Sequence, residues 1–409
     1  MNLNLNKNIW ITTFNSKGFK ILWSLGFITA FTRYLEVLAN AYFVFQLSED
    51  PLLVGINAGL RLLPLFLLGW VIGIFSDRLD KRLMVTLSLF IFFLVSFSLF
   101  LLIFFEMIEI WHLMFGSLFS GIGWAFELPT RRSLIGDLLD SENISLGIGI
   151  DASTQNFTRI LGPLMAGILL TLLPSLPYLM TSISHFFGIF LAILILKKQY
   201  SKFIRKLEKS SILDDLKYLL TGKAFRLVLG ITVIMNIWAF PYQSMVPVVA
   251  ETVLKINPFL LGLLVAIEGT GAFLGSIFVA TFVIRRLQSI FFILGSSLFL
   301  ICIFIFANSE IYLLSIIIVF LGGLGISCFS TLQSVIILDR TPSHLRGSAM
   351  GSLTTMIGTQ PIGALHIGWI CSVISPSLGL MISSSEGLFL LVLFVLINSG
   401  VFLRSKEND

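Results

Sequence analysis

Long apolar stretches separated by short polar ones make up most of this chain. Each stretch of about 20 residues is long enough to cross a hydrocarbon core about 30 Å thick as a helix. Runs such as LFIFFLVSFSLFLLIFF are apolar on all sides, whereas strands of a membrane barrel alternate apolar and polar residues. The pattern therefore predicts an all-α membrane protein. Its twelve spans are expected at about 19–47, 52–76, 83–105, 111–135, 144–173, 176–196, 227–253, 258–283, 287–307, 312–337, 347–373 and 387–403.

Composition excludes a water-soluble globular domain. Of the 409 residues, 56% are hydrophobic and only 12% are charged, about half the charged fraction of a soluble domain. Cys302, Cys328 and Cys371 lie inside apolar spans and form no CxxC pair, so they are interpreted as packing residues. No metal site and no cofactor is expected.

Basic residues give the orientation, because loops rich in Lys and Arg stay in the cytoplasm. With twelve spans and a cytoplasmic N-terminus, 23 of the 27 Lys and Arg residues fall in segments on the inner side. Both termini are therefore expected in the cytoplasm, and the net charge of +5 reflects topology and not nucleic-acid binding. The N-terminal residues lack the features of a removable signal peptide.

The most polar stretch, 197–226, divides the chain into two halves, 1–196 and 227–409. It is read as a basic cytoplasmic linker, either bound to anionic lipid headgroups or simply solvated. The halves resemble each other: at an offset of 207 Arg61 aligns with Glu268, and at an offset of 202 Asp137 aligns with Asp339. Two matched six-helix bundles are typical of transporters with a binding site near the bilayer midplane.

The segment GIFSDRLDKR, at 73–82, resembles the G-x-x-x-D-R-x-G-R-R signature of the major facilitator superfamily. The matching residues are Gly73, Asp77, Arg78, Lys81 and Arg82, and Asp80 stands where the signature has glycine. Further stretches, among them FELPTRRSLIGDLL and TPSHLRGSAMGSL, are similar to the bacterial branch that contains macrolide-efflux and enterobactin-exporter-like proteins. The resemblance implies that this loop is a cytoplasmic gate. The carboxylate of Asp77 would then face the positive N-terminus of the eleventh span.

Placing an ionisable side chain inside the bilayer costs free energy, so each such residue is expected to have a structural or functional role. Arg33 and Glu36 lie three residues apart on the first span and either neutralise each other or work as a proton site. In the family that the chain resembles, the first helix lines the cavity, which makes Glu36 the first proton-coupling candidate. Glu268 is a second candidate: the matching Arg61 predicts a charge pair between them, and a carboxylate that releases its arginine on protonation is a switch. Glu127 is a third, with a simple contact to Arg131 or Arg132 as the alternative.

The fifth span contains a polar stripe, Asp151, Gln155 and Arg159, at four-residue spacing. It is interpreted as structural first, and Arg159 as a residue that can attract an anionic substrate. The stripe runs into Gly162, Pro163 and Gly167, which resemble the core of a motif found in antiporters of the superfamily. Thr158 stands where that motif has a further glycine.

Aromatic and amide side chains on several spans suit a binding cavity for an organic solute. The candidates are Trp124, Trp238, Tyr242, Gln243 and Gln333. The stretch WAFPYQSMVP, which contains three of them, is expected to interrupt the seventh helix at its prolines. His185 and His366 are interpreted as packing residues.

Three functions remain open. The resemblance implies a secondary active exporter of a bulky amphipathic solute, drug-like or siderophore-like, that works by proton antiport and alternating access. An uptake permease of the same fold and a non-transporting membrane partner or receptor are the alternatives. An enzyme is not expected, because no GxxxxGK[ST], HExxH or GxSxG motif occurs. The protein is expected in the bacterial inner membrane as a multi-pass protein. The sequence is compatible with a monomer.

Overall fold

The computed structural model of the chain describes residues 16–75, 80–139, 143–196, 222–342 and 345–398. These ranges contain helices and turns and no β-strand. They include a π-helical segment, Met235–Ala239, and a 3-10 turn, Arg285–Leu287. The helices are α1 Lys17–Ser48, α2 Pro51–Phe75, α3 Lys81–Phe104, α4 Ile110–Leu138, α5 Ile144–Leu172, α6 Leu176–Leu196, α7 Lys223–Ile234, α8 Tyr242–Thr252, α9 Pro258–Phe282, α10 Gln288–Ala307, α11 Tyr312–Arg340, α12 Arg346–Ile357, α13 Gln360–Val373 and α14 Pro376–Ile397.

The helices overlap all twelve predicted spans, with α12 and α13 together making up the eleventh, so the all-α class is confirmed. Among the described residues, eight helical stretches are long and apolar enough to cross a membrane. The stretches corresponding to the second, fourth, fifth and eleventh spans are not among the eight. Twelve crossings and two cytoplasmic termini therefore stay predictions.

The twelfth span, predicted at 387–403, begins eleven residues earlier than predicted. Helix α14 runs from Pro376 to Ile397. It begins there because the Ser375 side chain accepts a hydrogen bond from the Leu378 backbone, with proline in the first turn, a favoured start for a helix. The serines that made 376–386 look polar are accommodated inside the helix, as when Ser384 Oγ donates to the Leu380 carbonyl at 2.7 Å.

The seventh span is interrupted at Pro241, as predicted, whereas the predicted break at Pro247 is wrong, because α8 continues through that residue. Between α7 and α8 the backbone widens into the π segment, where the Phe240 amide donates to the Met235 carbonyl at 2.9 Å. Pro241 then begins a new helix, because it has no N–H to continue the preceding one. Short π segments inside α-helices are frequent at functional sites.

The described residues form two compact units. The first unit contains 16–40 and 63–196, and the second contains 41–62 and 222–398. Segment 41–62 belongs to the second unit because Gly55 lies against the Gly368 Cα, where an added Cβ would come within 3.0 Å. Gln46 Nε2 also donates to Glu251 Oε2 at 2.6 Å. The predicted domain limits, 1–196 and 227–409, stay predictions, and linker residues 197–221 lie outside the described ranges.

Each unit has its own core. In the first, Phe19, Leu22 and Leu25 of α1 pack with α3 residues, such as Leu89 and Phe92. In the second, small residues let helices approach closely: Gly271 and Gly275 of α9 face α11. Aromatic rings fill the space behind α8, with Tyr242 edge-on to Phe299.

Candidate functional site

A buried ion network occupies the first unit, and Arg131 is at its centre. The Arg131 side chain is 1% exposed and forms ion pairs with both Glu127 and Asp151. Its Nε lies 2.5 Å from Glu127 Oε1. Arg132 lies at the edge of the network, with its Nε 3.9 Å from Asp151 Oδ2. The network has two acids and two bases, so its formal charge is zero.

Three helices position this network. Glu127 and Arg131 lie one turn apart on α4, which places both on the same helix face. Asp151 comes from α5, and Thr29 of α1 donates to Glu127 Oε1 at 3.1 Å. Gly26 gives α1 room to approach, because a Cβ there would lie 2.6 Å from Arg131 Nη1. The arrangement fits the expected contact between Glu127 and Arg131, whereas a proton-coupling role for Glu127 stays a prediction.

Arg33 has different neighbours from those expected. Its Nη2 donates to Gln155 Oε1 at 2.7 Å, and its guanidinium carbon lies 4.7 Å from the Tyr34 ring and 5.0 Å from the Trp124 ring. These cation–π contacts and the amide oxygen stabilise the Arg33 charge, and neutralisation of Arg33 by Glu36 stays a prediction.

The polar stripe of α5 faces protein, as its structural interpretation predicts. Asp151 pairs with Arg131 and Gln155 accepts from Arg33, while Arg159 is half-buried further along the same helix. Gly162 lies where α5 meets α1, and a Cβ there would lie 2.6 Å from the Tyr34 Cβ. Helix α5 continues unbroken through Pro163, and Gly167 is buried. The antiporter-like motif is therefore a close-packing point.

Glu36, Arg61 and Glu268 are buried ionisable residues, exposed by 4%, 8% and 4%. Glu268 Oε1 accepts a hydrogen bond from Gln243 Nε2 at 2.9 Å, which brings two predicted site residues together. A charge pair between Arg61 and Glu268, and proton coupling by Glu36 or Glu268, stay predictions.

The remaining cavity candidates have separate surroundings. Gln333 Oε1 accepts from Thr232 Oγ1 at 3.3 Å, and Tyr242 is buried among phenylalanine rings. Trp124 and Trp238 are half-buried. A role for these residues in substrate binding stays a prediction.

The gate signature is described only in part. Asp77 and Arg78 lie outside the described residues, and Gly73 lies in α2. Asp80 caps α3 by accepting from the Arg82 backbone amide at 3.0 Å, which explains an aspartate where the signature has glycine.

Two ion pairs match the predicted duplication. Lys81 Nζ lies 2.9 Å from Asp137 Oδ2 at the end of α4. In the second unit, Arg285 Nε lies 2.7 Å from Asp339 Oδ2 at the end of α11. Asp137 and Asp339 are the residues that the offset of 202 aligns. Each unit therefore ties the start of one helix to the end of another by the same kind of contact.

One polar cluster was missed by sequence reasoning. The Glu386 carboxylate on α14 accepts from Trp238 Nε1 at 3.0 Å and lies 2.8 Å from His366 Nε2. His366 is therefore more than a packing residue, whereas His185 contacts Thr32 and Ser96 as a packing histidine would. Glu386 was overlooked because the predicted span began at 387. An inspection of every acid near an apolar run would have found it.

Comparison with known proteins identifies relatives along nearly the whole chain. The sequence model of a family described as transmembrane secretion effector matches residues 10–408. The Staphyloferrin A transporter of Staphylococcus aureus (strain NCTC 8325 / PS 47) is 22% identical over 398 residues, which cover 95% of this chain and 98% of that protein.

Solved structures of transporters have the same fold. A bacterial homologue of the human lysosomal transporter Spinster, inward-facing and unoccupied, superposes with a TM-score of 0.71 at 14% identity, over 96% of this chain and 97% of that one. A POT family transporter in complex with 5-aminolevulinic acid gives a TM-score of 0.75 at 12% identity, over 94% and 97%. At these identities the likeness shows the fold alone.

Proposed function

Because the chain belongs to the transmembrane secretion effector family of the major facilitator superfamily, we propose that this transporter exports a bulky amphipathic organic solute by proton antiport and alternating access. The chain is a multi-pass membrane transporter and not an enzyme. The proposed substrate is drug-like or siderophore-like, and the proposed location is the bacterial inner membrane with both termini in the cytoplasm. Its proposed partners are protons, the organic solute and the lipid bilayer. A monomer is sufficient for the proposed transport.

The match to a secretion family across residues 10–408 is the observation that supports export most directly. The related Staphyloferrin A transporter supports a siderophore-like solute. Half-buried aromatic rings beside a cation, as at Trp124 and Arg33, suit an amphipathic solute with an anionic group.

Buried carboxylates support proton coupling. Glu268 has a neutral hydrogen-bond partner in Gln243, which tolerates both the ionised and the protonated acid. Glu36 is buried in α1. A carboxyl group that gains and loses a proton as its surroundings change is a switch. We assign the coupling role to Glu36 and Glu268, with Glu127 held by Arg131 as the weaker candidate.

Everted membrane vesicles test this function. Their lumen is acidified by respiration, and a panel of iron-free siderophores and amphipathic drugs is added outside. Proton antiport predicts substrate-dependent alkalinisation of the lumen, read with a pH-sensitive dye. The response should be lost in Glu36→Gln and Glu268→Gln and retained in Glu310→Gln, which changes an exposed acid outside the helices.

The same assay separates the alternatives. An uptake permease that moves protons with its solute would acidify the lumen further or give no response. A non-transporting partner or receptor would give no response in any variant. Alkalinisation that persists in both Glu36→Gln and Glu268→Gln would contradict the assignment of the coupling residues while leaving export intact.

A further inference from the structure

Three polar side chains of the second unit meet in the middle of apolar helices. Trp238 lies on the π segment, His366 on α13 and Glu386 on α14. The Glu386 Oε2 atom accepts a hydrogen bond from Trp238 Nε1 at 3.0 Å and lies 2.8 Å from His366 Nε2. The Trp238 and His366 rings are edge-on, with centroids 6.4 Å apart.

We infer that Glu386, His366 and Trp238 form a proton-binding site of the second unit, separate from Glu36, Glu127 and Glu268. Its ligand is a single proton that the imidazole and the carboxylate share.

Hydrogen-bond geometry requires a hydrogen between the two groups. At 2.8 Å, the line from Nε2 to Oε2 contains one hydrogen, on either atom. The indole N–H only donates, so it directs Oε2 to act as an acceptor. A neutral imidazole with its hydrogen on Nε2 fits this geometry beside a carboxylate, and the pair then has a net charge of −1. An imidazolium beside a carboxylate and a neutral imidazole beside a carboxylic acid fit it as well, and both contain one proton more.

Position along the helix favours the proton-bound form. Glu386 lies ten residues after Pro376 and eleven before Ile397, so about 15 Å of apolar helix extends on either side. Without the shared proton the pair has a net charge of −1, and with it the pair is neutral. A net charge at this depth is costly, which stabilises the bound proton.

The pair is not enclosed by protein. The side chain of His366 is 31% exposed and that of Glu386 is 41% exposed, whereas in the network around Arg131 the three central side chains are at most 4% exposed.

Backbone contacts connect the site to the irregular part of the seventh span. Ser383 Oγ donates to the Trp238 carbonyl at 3.1 Å, and Gly387 lies against Trp238, where an added Cβ would come within 2.8 Å of the Trp238 Cβ. Helix α14 thus contacts Trp238 of the π segment twice: Glu386 binds its indole N–H and Ser383 binds its backbone carbonyl. Loss of the shared proton changes the charge at the Glu386 contact.

Other titratable groups are remote from the pair. Within the described side chains, His366 is the titratable group that contacts Glu386. Cys371 of α13 packs against Gly379, two turns from Glu386. The further titratable side chains on helices packed against α14 are Arg226, Tyr242, Glu251 and Cys302. No polar contact joins these four to Glu386.

The intrinsic fluorescence of Trp238 tests the site without any substrate, so the result is independent of the proposed function. The full-length protein is placed in phosphatidylcholine nanodiscs, and its emission is followed from about pH 5 to pH 9, the range in which histidine titrates. An imidazolium next to an indole quenches its emission. The wild type should show a pH-dependent component that is lost in Trp238→Phe and in His366→Gln. Its midpoint should change in Glu386→Gln.

Potentiometric titration of the same samples counts the protons. Trp238→Phe should bind as many protons as the wild type, because it removes only the reporter, whereas His366→Gln should bind one fewer. His185→Gln is the matched control and should leave the emission component unchanged. An unchanged component in His366→Gln, or an unmoved midpoint in Glu386→Gln, would overturn the inference. Thermal unfolding at one fixed pH confirms that each variant is folded.

Discussion

Arg131 is the residue on which the charge balance of the first unit depends. It faces two carboxylates in a region where water does not reach, and each carboxylate has few other donors. Arg131→Ala removes the central base and leaves two buried acids, Glu127 with the Thr29 hydroxyl and Asp151 with the more distant Arg132. We expect the free energy of unfolding to fall by about 3–5 kcal/mol, as for other broken buried ion pairs. Thermal and denaturant unfolding in detergent measures the loss.

Arg132→Ala is the matched control for that substitution. The Arg132 side chain is 54% exposed, and its Nε lies 3.9 Å from Asp151 Oδ2. An exposed pair at this distance contributes less than about 1 kcal/mol. If the free energy of unfolding falls equally in the two variants, burial does not determine how much these ion pairs stabilise the protein.

At the scale of helices, close approach between α1 and α5 depends on glycine. A Cβ at Gly162 would come within 2.6 Å of the Tyr34 Cβ and 3.0 Å of the Phe31 carbonyl oxygen. Gly162→Ala should therefore destabilise the protein by about 1–3 kcal/mol through overpacking. The expected observation is a lower unfolding temperature.

Gly149 lies on the same helix and provides the comparison. An added Cβ there meets nothing within 4 Å. Gly149→Ala should leave stability unchanged or raise it by up to about 1 kcal/mol, because alanine favours the helix. If Gly162→Ala is as stable as Gly149→Ala, the two helices are not in close contact at this point.

At the scale of the whole molecule, the distribution of basic residues predicts which turns face the cytoplasm. Glu109 and Glu310 lie in turns expected outside, and Arg286 lies in a turn expected inside; all three are exposed. We replace each in turn by cysteine, in a background in which the three native cysteines are alanine. A membrane-impermeant maleimide should label Glu109→Cys and Glu310→Cys in intact cells. Arg286→Cys should react only after permeabilisation.

Labelling of all three positions from one side would contradict the predicted crossings. The same experiment bears on the second of the two ion pairs, Arg285 with Asp339, because Arg286 is next to it. Labelling of Arg286→Cys only after permeabilisation would place the second of them on the cytoplasmic side of the membrane.

Helix positions were predictable because the signal for them is local. Twenty apolar residues in succession are a helix wherever they occur in a membrane, and Pro258 or the capping residue Asn257 fixes an end without reference to the rest of the chain. The exception is α14, and its start was predicted wrongly for a local reason as well. Its serines raised the apparent polarity of a stretch whose hydroxyl groups are satisfied inside the helix.

Partners of the charged residues were less predictable. The spacing of Arg33 and Glu36 suggested a pair on one helix, but it gave no sign of the hydrogen bond from Arg33 to Gln155 on α5, 122 residues away. Glu127 with Arg131 was foreseen because its four-residue spacing lies within one helix. Asp151 as the second partner of Arg131 required the packing of α4 on α5.

The sequence by itself determined the helical class, the positions of most spans, the family resemblance and the set of costly charges, because each depends on local composition or on short motifs. Only the tertiary structure decided which charges meet, since a contact between side chains depends on the rotation and packing of whole helices. His366 and Glu386 illustrate the difference: twenty residues apart and on separate helices, they become one site only when α13 and α14 pack side by side.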